Sequence, residues 1–282
     1  MIIGAHLNKD KTIIRTIANI YREGGNALQI FTGSPLNAKI KAINPDELEE
    51  IRDYAKLKNV KLIIHASYMI NIAKEFKNNK RVIDMEDCYW IQLILNELNI
   101  SNIINSIGVV IHTGKYLNLD KNEAINNMKL TLSYIISQMI KNDYKTTLIL
   151  ETPSGQGTEL LTTLEDFFNF YNLFSIEEKK YLKICIDTCH IFNLGYDIDE
   201  FLINIKQEDI KNVILIHLNN SKNEKGSRKD RHEEILNKNG KIQIPNIINF
   251  IKRLNNKTII ILEKPSENLN KEINDIKLMK DI

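Results

Sequence analysis

A chain of 282 residues with 43% hydrophobic and 26% charged side chains can bury a substantial core, and one domain spanning residues 1–282 is expected. Its formal net charge of +2 neither demands nor excludes a polyanionic partner, so any basic footprint has to be local. Three cysteines (Cys88, Cys185 and Cys189) without a Cys-x-x-Cys spacing exclude an even-numbered disulfide framework, and no apolar run reaches the roughly 18 residues of a membrane helix.

The chain opens at Met1-Ile2-Ile3-Gly4-Ala5-His6 directly on a strand-like run. No basic region leads into a long apolar stretch, so an intracellular, non-secreted setting is expected. From there a short apolar run recurs, each followed by a longer amphipathic segment. The runs are Ile2–His6, Ala27–Phe31, Lys61–His65, Gly108–His112, Thr147–Glu151, Lys183–Asp187, Val213–His217 and Thr258–Glu263. They are rich in β-branched residues and nearly continuous in apolar character, as strands buried on both faces of a parallel sheet require.

The intervening segments read as helices. Asn8 to Tyr21 places Ile13, Ile14, Ile17, Ile20 and Tyr21 on one side, and Gly24-Gly25 stops it. Asn44-Pro45 is a cap followed by proline at the first helical position, opening a helix through Leu48, Ile51, Tyr54 and Ala55. Another runs from about Glu123 through Met128, Leu132, Ile135, Ile136 and Met139, and Pro245 opens one carrying Ile247, Ile248 and Ile251. Eight strands alternating with helices predict an α/β fold, a single-domain (β/α)8 TIM-type barrel. A doubly wound sheet ranks second, because no Gly-x-Gly-x-x-Gly follows the first run.

From the third run to the eighth, the last residues are His65, His112, Glu151, Asp187, His217 and Glu263. The carboxyl ends of barrel strands converge on one face, so these six side chains should share one pocket. Each is an imidazole or carboxylate of the kind zinc or manganese accepts. One histidine after an apolar run is more often structural. Three of the chain's six histidines ending strands beside three acids is a different matter. His190, three residues past Asp187, reaches the same cavity, and Asp230-Arg231-His232 after the seventh run offers an Asp-x-His pair that can chelate one ion. Nine candidates are too many for one ion, so two or three are inferred. The same loop carries Lys222, Lys225, Arg228, Lys229 and Arg231, which fit a solvated charged loop and a phosphate-contacting rim equally well.

These motifs resemble the endonuclease IV family of abasic-site endonucleases. The resemblance runs through Gly4-Ala5-His6, Phe31-Thr32, His65 with Tyr68, Asn71 and Ala73, and Glu151-Thr152 with Gly155-Gln156-Gly157. It continues through Asp187-Thr188-Cys189-His190 with Gly195-Tyr196-Asp197, then His217-Leu218-Asn219-Asn220-Ser221-Lys222, Gly226-Ser227-Arg228 and Asp230-Arg231-His232, to Glu263. It implies a TIM barrel with three zinc ions per chain. His65, His112 and Glu151 would hold the first ion. Glu151 would bridge to a second held by Asp187, His217 and Glu263, and His190, Asp230 and His232 would hold the third. His6 is left over.

The implied activity is that of a DNA-repair hydrolase cutting duplex DNA 5′ to an abasic site. The products are a 3′-hydroxyl and a 5′-deoxyribose phosphate, and 3′-blocked ends are further substrates. Glu151 and Glu263 would be catalytic, and Tyr68, Met69, Arg228 and Arg231 would contact DNA. A monomer working wherever the genome is replicated, with no membrane partner, is expected. Three departures stand out: Gly33-Ser34-Pro35-Leu36 where some members carry an arginine-bearing polar loop, Asn220 where aspartate is usual, and a longer turn between His232 and Asn239-Gly240. The alternatives are a divalent-metal sugar isomerase or epimerase on the same barrel, which has no need of His190 or the Asp230/His232 pair, and a catalytically dead binding barrel, which has no reason to keep nine ligands.

Overall fold

The computed structural model describes residues 1–36, 43–78 and 81–281. Eight strands, β1 (Ile2–His6), β2 (Ala27–Ile30), β3 (Lys61–His65), β4 (Gly108–His112), β5 (Thr147–Glu151), β6 (Leu182–Asp187), β7 (Val213–His217) and β8 (Ile259–Leu262), close into a barrel in sequential order. Every neighbouring pair is parallel, including the closing pair β1–β8. The predicted barrel is the observed one. Two runs end one residue early, at Ile30 and Leu262. The Glu263 amide donates to the Asn219 side-chain oxygen at 3.1 Å instead of to a strand.

The helices begin where caps place them. The first is Ile13–Arg22 rather than Asn8–Tyr21, because the Thr12 hydroxyl accepts from the Arg15 amide. Lys11 just before it turns left-handed at φ 42°. Tyr21 is half exposed rather than buried with Ile13, Ile17 and Ile20; its ring sits under the Lys58 ammonium at 4.8 Å. Asn44 caps Pro45–Lys58 by accepting from the Asp46 amide at 3.1 Å. Asp120 caps Lys121–Lys141, which therefore starts two residues before Glu123. Pro245 is the second residue of Ile244–Arg253. Among the described residues, no helix is long and apolar enough to cross a membrane.

The barrel has two cores. A large one fills the space between strands and helices, and a small one fills the lumen with Ala27, Ile63, Val110, Ile149, Cys185, Leu215, Ile259 and Ile261. Side chains along a strand alternate faces, so the residue two positions on also points inward. Two residues after seven of these lumen positions stand Gln29, His65, His112, Glu151, Asp187, His217 and Glu263. The apolar layer is thus the floor on which a layer of polar, ligand-type side chains rests. Strand parity alone puts those side chains in one plane at the carboxyl end.

Candidate metal centre

Glu151, at the end of β5, sits at the middle of that plane and is 1% exposed. Its Oε1 accepts from His217 Nδ1 at 2.7 Å, and its Oε2 lies 3.6 Å from His65 Nε2 and 3.4 Å from His112 Nε2. Asp187 is fully buried and divides its carboxylate. Oδ1 caps the helix Thr188–Leu194 by accepting from the His190 amide at 2.9 Å, and Oδ2 faces His232 Nε2 at 3.6 Å and His217 Nδ1 at 3.9 Å. Glu263 Oε1 is 3.4 Å from His217 Nδ1. Asp230 Oδ1 is 3.0 Å from His232 Nε2 and its Oδ2 is 3.3 Å from His190 Nε2. All nine ligand-type residues named from the sequence are therefore brought together.

Their ring orientations follow a rule. His65 Nδ1 donates to the Ala66 carbonyl at 2.8 Å, His190 Nδ1 to the Thr152 carbonyl at 2.7 Å, and His217 Nε2 to Gln29 Oε1 at 2.8 Å. Each ring thus spends one N–H on an outer acceptor and turns its other nitrogen toward the carboxylates, the arrangement that orients metal-binding imidazoles. Of the eight buried side-chain polar atoms without a hydrogen-bond partner among the described residues, four belong to this set: His112 Nε2, His190 Nε2, His232 Nε2 and Glu151 Oε2. Buried polar atoms are normally satisfied. Orphans on three imidazoles and a carboxylate, all facing one space, are what a cation's ligands look like. The sets His65/His112/Glu151, Glu151/Asp187/His217/Glu263 and Asp187/His190/His232 each hold their donor atoms within 4.8 Å of one another.

The electrostatics agree. Burial pushes the Glu151 carboxyl up, but the His217 and His112 imidazoles pull it down further and leave it well below the usual carboxylate range. Burial lowers His190 and His217, but Asp187 and Asp230 outweigh it at His190, and Cys185, Glu263 and Glu151 outweigh it at His217, so both stand well above an ordinary histidine. His112, with burial dominant, drops to about 4. Acids and protonated rings thus neutralise one another, and a bound cation would displace those protons. For His232, burial lowers the pKa while Asp187 and Asp230 raise it from 6.5 to about 9. In ion-stripped protein this group's stabilisation is complete below 6.5 and is lost as pH climbs through about 9. Thermal melts of chelated protein should therefore show Tm falling across that window, and a Tm that rises there would contradict the placement of His232.

Two partners escaped the sequence reading. Gln29, fully buried on β2, accepts from His217 and donates through Nε2 to Glu263 Oε1 at 2.9 Å and to His6 Nδ1 at 3.0 Å. Its signal was an amide inside an apolar strand run at the inward parity. Asn219 donates to Asp187 Oδ2 at 2.7 Å and Glu263 Oε2 at 3.2 Å, so both carboxylates are held from behind. Cys185 and Cys189 also lie beside the cluster, and burial pushes both thiols up to about 12, so they stay neutral.

Above the plane a cavity of about 600 Å³ opens, lined by His65, Tyr68, Met69, His112, Arg231 and Glu263 among others. Tyr68 packs edge-on against the His65 and His112 rings and is 51% exposed, and Met69 is 58% exposed. Arg228 is exposed but does not line this cavity, and Lys225 is tied to Asp197. A groove of about 910 Å³ at the other end of the barrel, walled by Leu202, Ile210 and Arg253, has no ligand-type residue.

Two of the departures noted in the sequence belong together. Buried Asn220 donates from Nδ2 to the Ile235 and Ile242 carbonyls at 3.2 and 3.1 Å and accepts from the Ile242 amide at 2.8 Å. A carboxylate could not donate there. The amide clasps both ends of the turn after His232, and Gly240 lies flat on it because a Cβ would strike the Asn220 side chain.

Comparison with known proteins fits this geometry. Residues 17–281 match the family described as xylose isomerase-like TIM barrel. The chain is 33% identical over 283 residues to the probable endonuclease 4 of Thermosipho melanesiensis, covering 94% of this chain and 93% of that protein. It belongs to the endonuclease IV family. The probable endonuclease 4 of Clostridium botulinum is 30% identical over 272 residues, covering 94% and 93%. Endonuclease IV from Thermus thermophilus superposes with a TM-score of 0.79 at 22% identity, over 100% of this chain and 99% of that one. A D-tagatose 3-epimerase-like protein superposes at 0.72 with 20% identity, over 100% and 97%. The barrel is therefore shared with sugar epimerases, and it is sequence kinship that sets this chain among the endonuclease IV proteins.

Proposed function

We propose that this chain is a zinc-dependent DNA-repair phosphodiesterase that cuts duplex DNA on the 5′ side of an abasic site. The products would be a 3′-hydroxyl and a 5′-deoxyribose phosphate, and blocked 3′ ends are a second substrate. The observation that carries the reading is the four orphaned polar atoms facing one space among nine ligand-type side chains, in a chain of the endonuclease IV family.

His65, His112 and Glu151 would hold one ion; Glu151, Asp187, His217 and Glu263 a second; His190, Asp230 and His232 a third. Zinc there supplies Lewis-acid neutralisation of phosphodiester charge and a water made acidic enough to attack near neutral pH. The protein's share is positional. Glu151 and Glu263 would orient that water and take its proton. Gln29 and Asn219 hold His217, Asp187 and Glu263 in register behind them. Arg231 at the cavity rim and Arg228 beyond it would meet backbone phosphates. Exposed Tyr68 and Met69 would press into the duplex and favour extrusion of a nucleotide, which costs least where no base stacks or pairs. The enzyme would act as a monomer inside the cell.

The test is a labelled duplex with one stable abasic-site analogue, compared with the undamaged duplex. A single cut on the 5′ side with an extendable 3′ end is expected. No cut by zinc-replete protein would sink the reading and leave sugar epimerisation on the same barrel as the alternative. The His190, Asp230 and His232 cluster, superfluous for a one-ion isomerase, favours the nuclease.

A further inference from the structure

Glu159 lies in the loop after β5, eight residues past Glu151, and none of the chemistry above uses it. Its side chain is 7% exposed. Its Oε2 accepts from the Ser154 amide at 3.1 Å, the Ser154 hydroxyl at 3.1 Å, the Gly155 amide at 2.9 Å and the Gln156 amide at 3.1 Å. Three consecutive N–H groups can converge on one oxygen only when the backbone curls into a concave nest, and Gly155 supplies the curl at φ +79°. A free anion normally fills such a nest. Here the chain's own carboxylate does, so the loop 154–157 has its shape set from within.

That shape delivers Gln156 across the mouth of the site. Its Oε1 accepts from the Asp230 amide at 3.1 Å and from the Arg231 guanidinium at 3.4 Å. On the far side, the Lys222 amide donates to the Arg231 carbonyl at 3.0 Å. Asp230 is thus held directly by Gln156 and its neighbour Arg231 by Lys222, and the Asp230 carboxylate stands 3.3 Å from His190 and 3.0 Å from His232.

We propose that Glu159 is a positioning residue for the His190/Asp230/His232 cluster. It acts through the nest and Gln156 to hold the Asp230 backbone where those three side chains can share one cation. The proposal rests on reading this cluster as one of the metal positions. The chain of contacts is short: carboxylate to nest, nest to Gln156, Gln156 to the Asp230 amide.

The experiment compares wild type, Glu159→Ala and Glu159→Gln by amide hydrogen exchange on ion-stripped protein and by zinc titration against a chromophoric chelator. For Glu159→Ala, exchange in residues 228–233 should accelerate about tenfold or more while the barrel strands keep wild-type protection, and the weakest zinc should bind about tenfold less tightly, the usual scale for losing a group that orients a ligand. Glu159→Gln keeps an oxygen for the nest and should stay within about threefold of wild type on both readouts. Unchanged exchange in 228–233 would overturn the proposal. So would equal acceleration in the strands, which marks general destabilisation, or a Glu159→Gln variant as loose as the alanine. A wild-type chain holding a single zinc would instead sink the trinuclear reading, while the exchange comparison still decides the role of Glu159.

Discussion

Glu151→Gln should lower cleavage at an abasic site by about 10³-fold or more, a loss of roughly 4 kcal/mol of transition-state stabilisation. The size follows from position. One Glu151 oxygen faces His65 and His112 and the other faces His217, so this single carboxylate belongs to two ligand sets. An amide of the same shape keeps the packing and removes the charge, leaving both ligand sets without their shared anion. Zinc content should fall with the rate. His6→Gln is the matched control. His6 meets the cluster through Gln29, at 3.7 Å from Glu263 and by a ring contact with His65 at 6.0 Å, so its loss should cost about tenfold at most, as for a group one step removed from the ligands. Steady-state kinetics and elemental analysis of the two variants would check this, and equal losses in both would refute the ligand assignment.

Gln29→Leu ranks second. The substitution fits the apolar neighbourhood of β2, yet it strips three partners at once: His217 loses its acceptor, and Glu263 and His6 lose a donor. Leaving buried polar groups unpaired costs about 1–3 kcal/mol each, so a Tm drop of several degrees is expected. The more telling readout is zinc affinity, which should weaken by about 10–100-fold because nothing then fixes which His217 nitrogen faces Glu151. Gln29→Glu retains an acceptor for His217 and separates the two effects: it should restore much of the affinity, since His217 stays oriented, and little of the stability, since it sets a further carboxylate against Glu263. A leucine variant with wild-type zinc affinity would show that Gln29 serves packing alone.

The barrel was legible because its strands are nearly pure apolar runs, and both cores demand that of them. The ligand-type set was legible for the same reason: an imidazole or carboxylate ending an apolar run is conspicuous. Gln29 was less visible because it lies inside its run, and only the inward parity shared with Ala27 marks it. The start of the first helix was misplaced because the Ile13–Tyr21 pattern was extended back across Asn8–Lys11, whereas Thr12 sets the cap. The pairing of Asn220–Ser221 with His232–Glu233, which brings Asp230 and His232 back over the barrel, has no signature in strands of two residues. Nor does a sequence reveal that Glu159 fills a nest, since that depends on the turn at Gly155.

The lumen side chains, one layer down, carry the polar plane, and the nine ligand-type residues divide by what supports them. His65, His112, Glu151, Asp187, His217 and Glu263 stand on that floor, inherited from the strands themselves. His190, Asp230 and His232 are brought in by the short helix and the loop above it. Lineages of such barrels can therefore gain or shed the second group by rewriting loops, while the first persists as long as the sheet closes. The closed barrel is what this chain holds in common with the D-tagatose 3-epimerase-like protein.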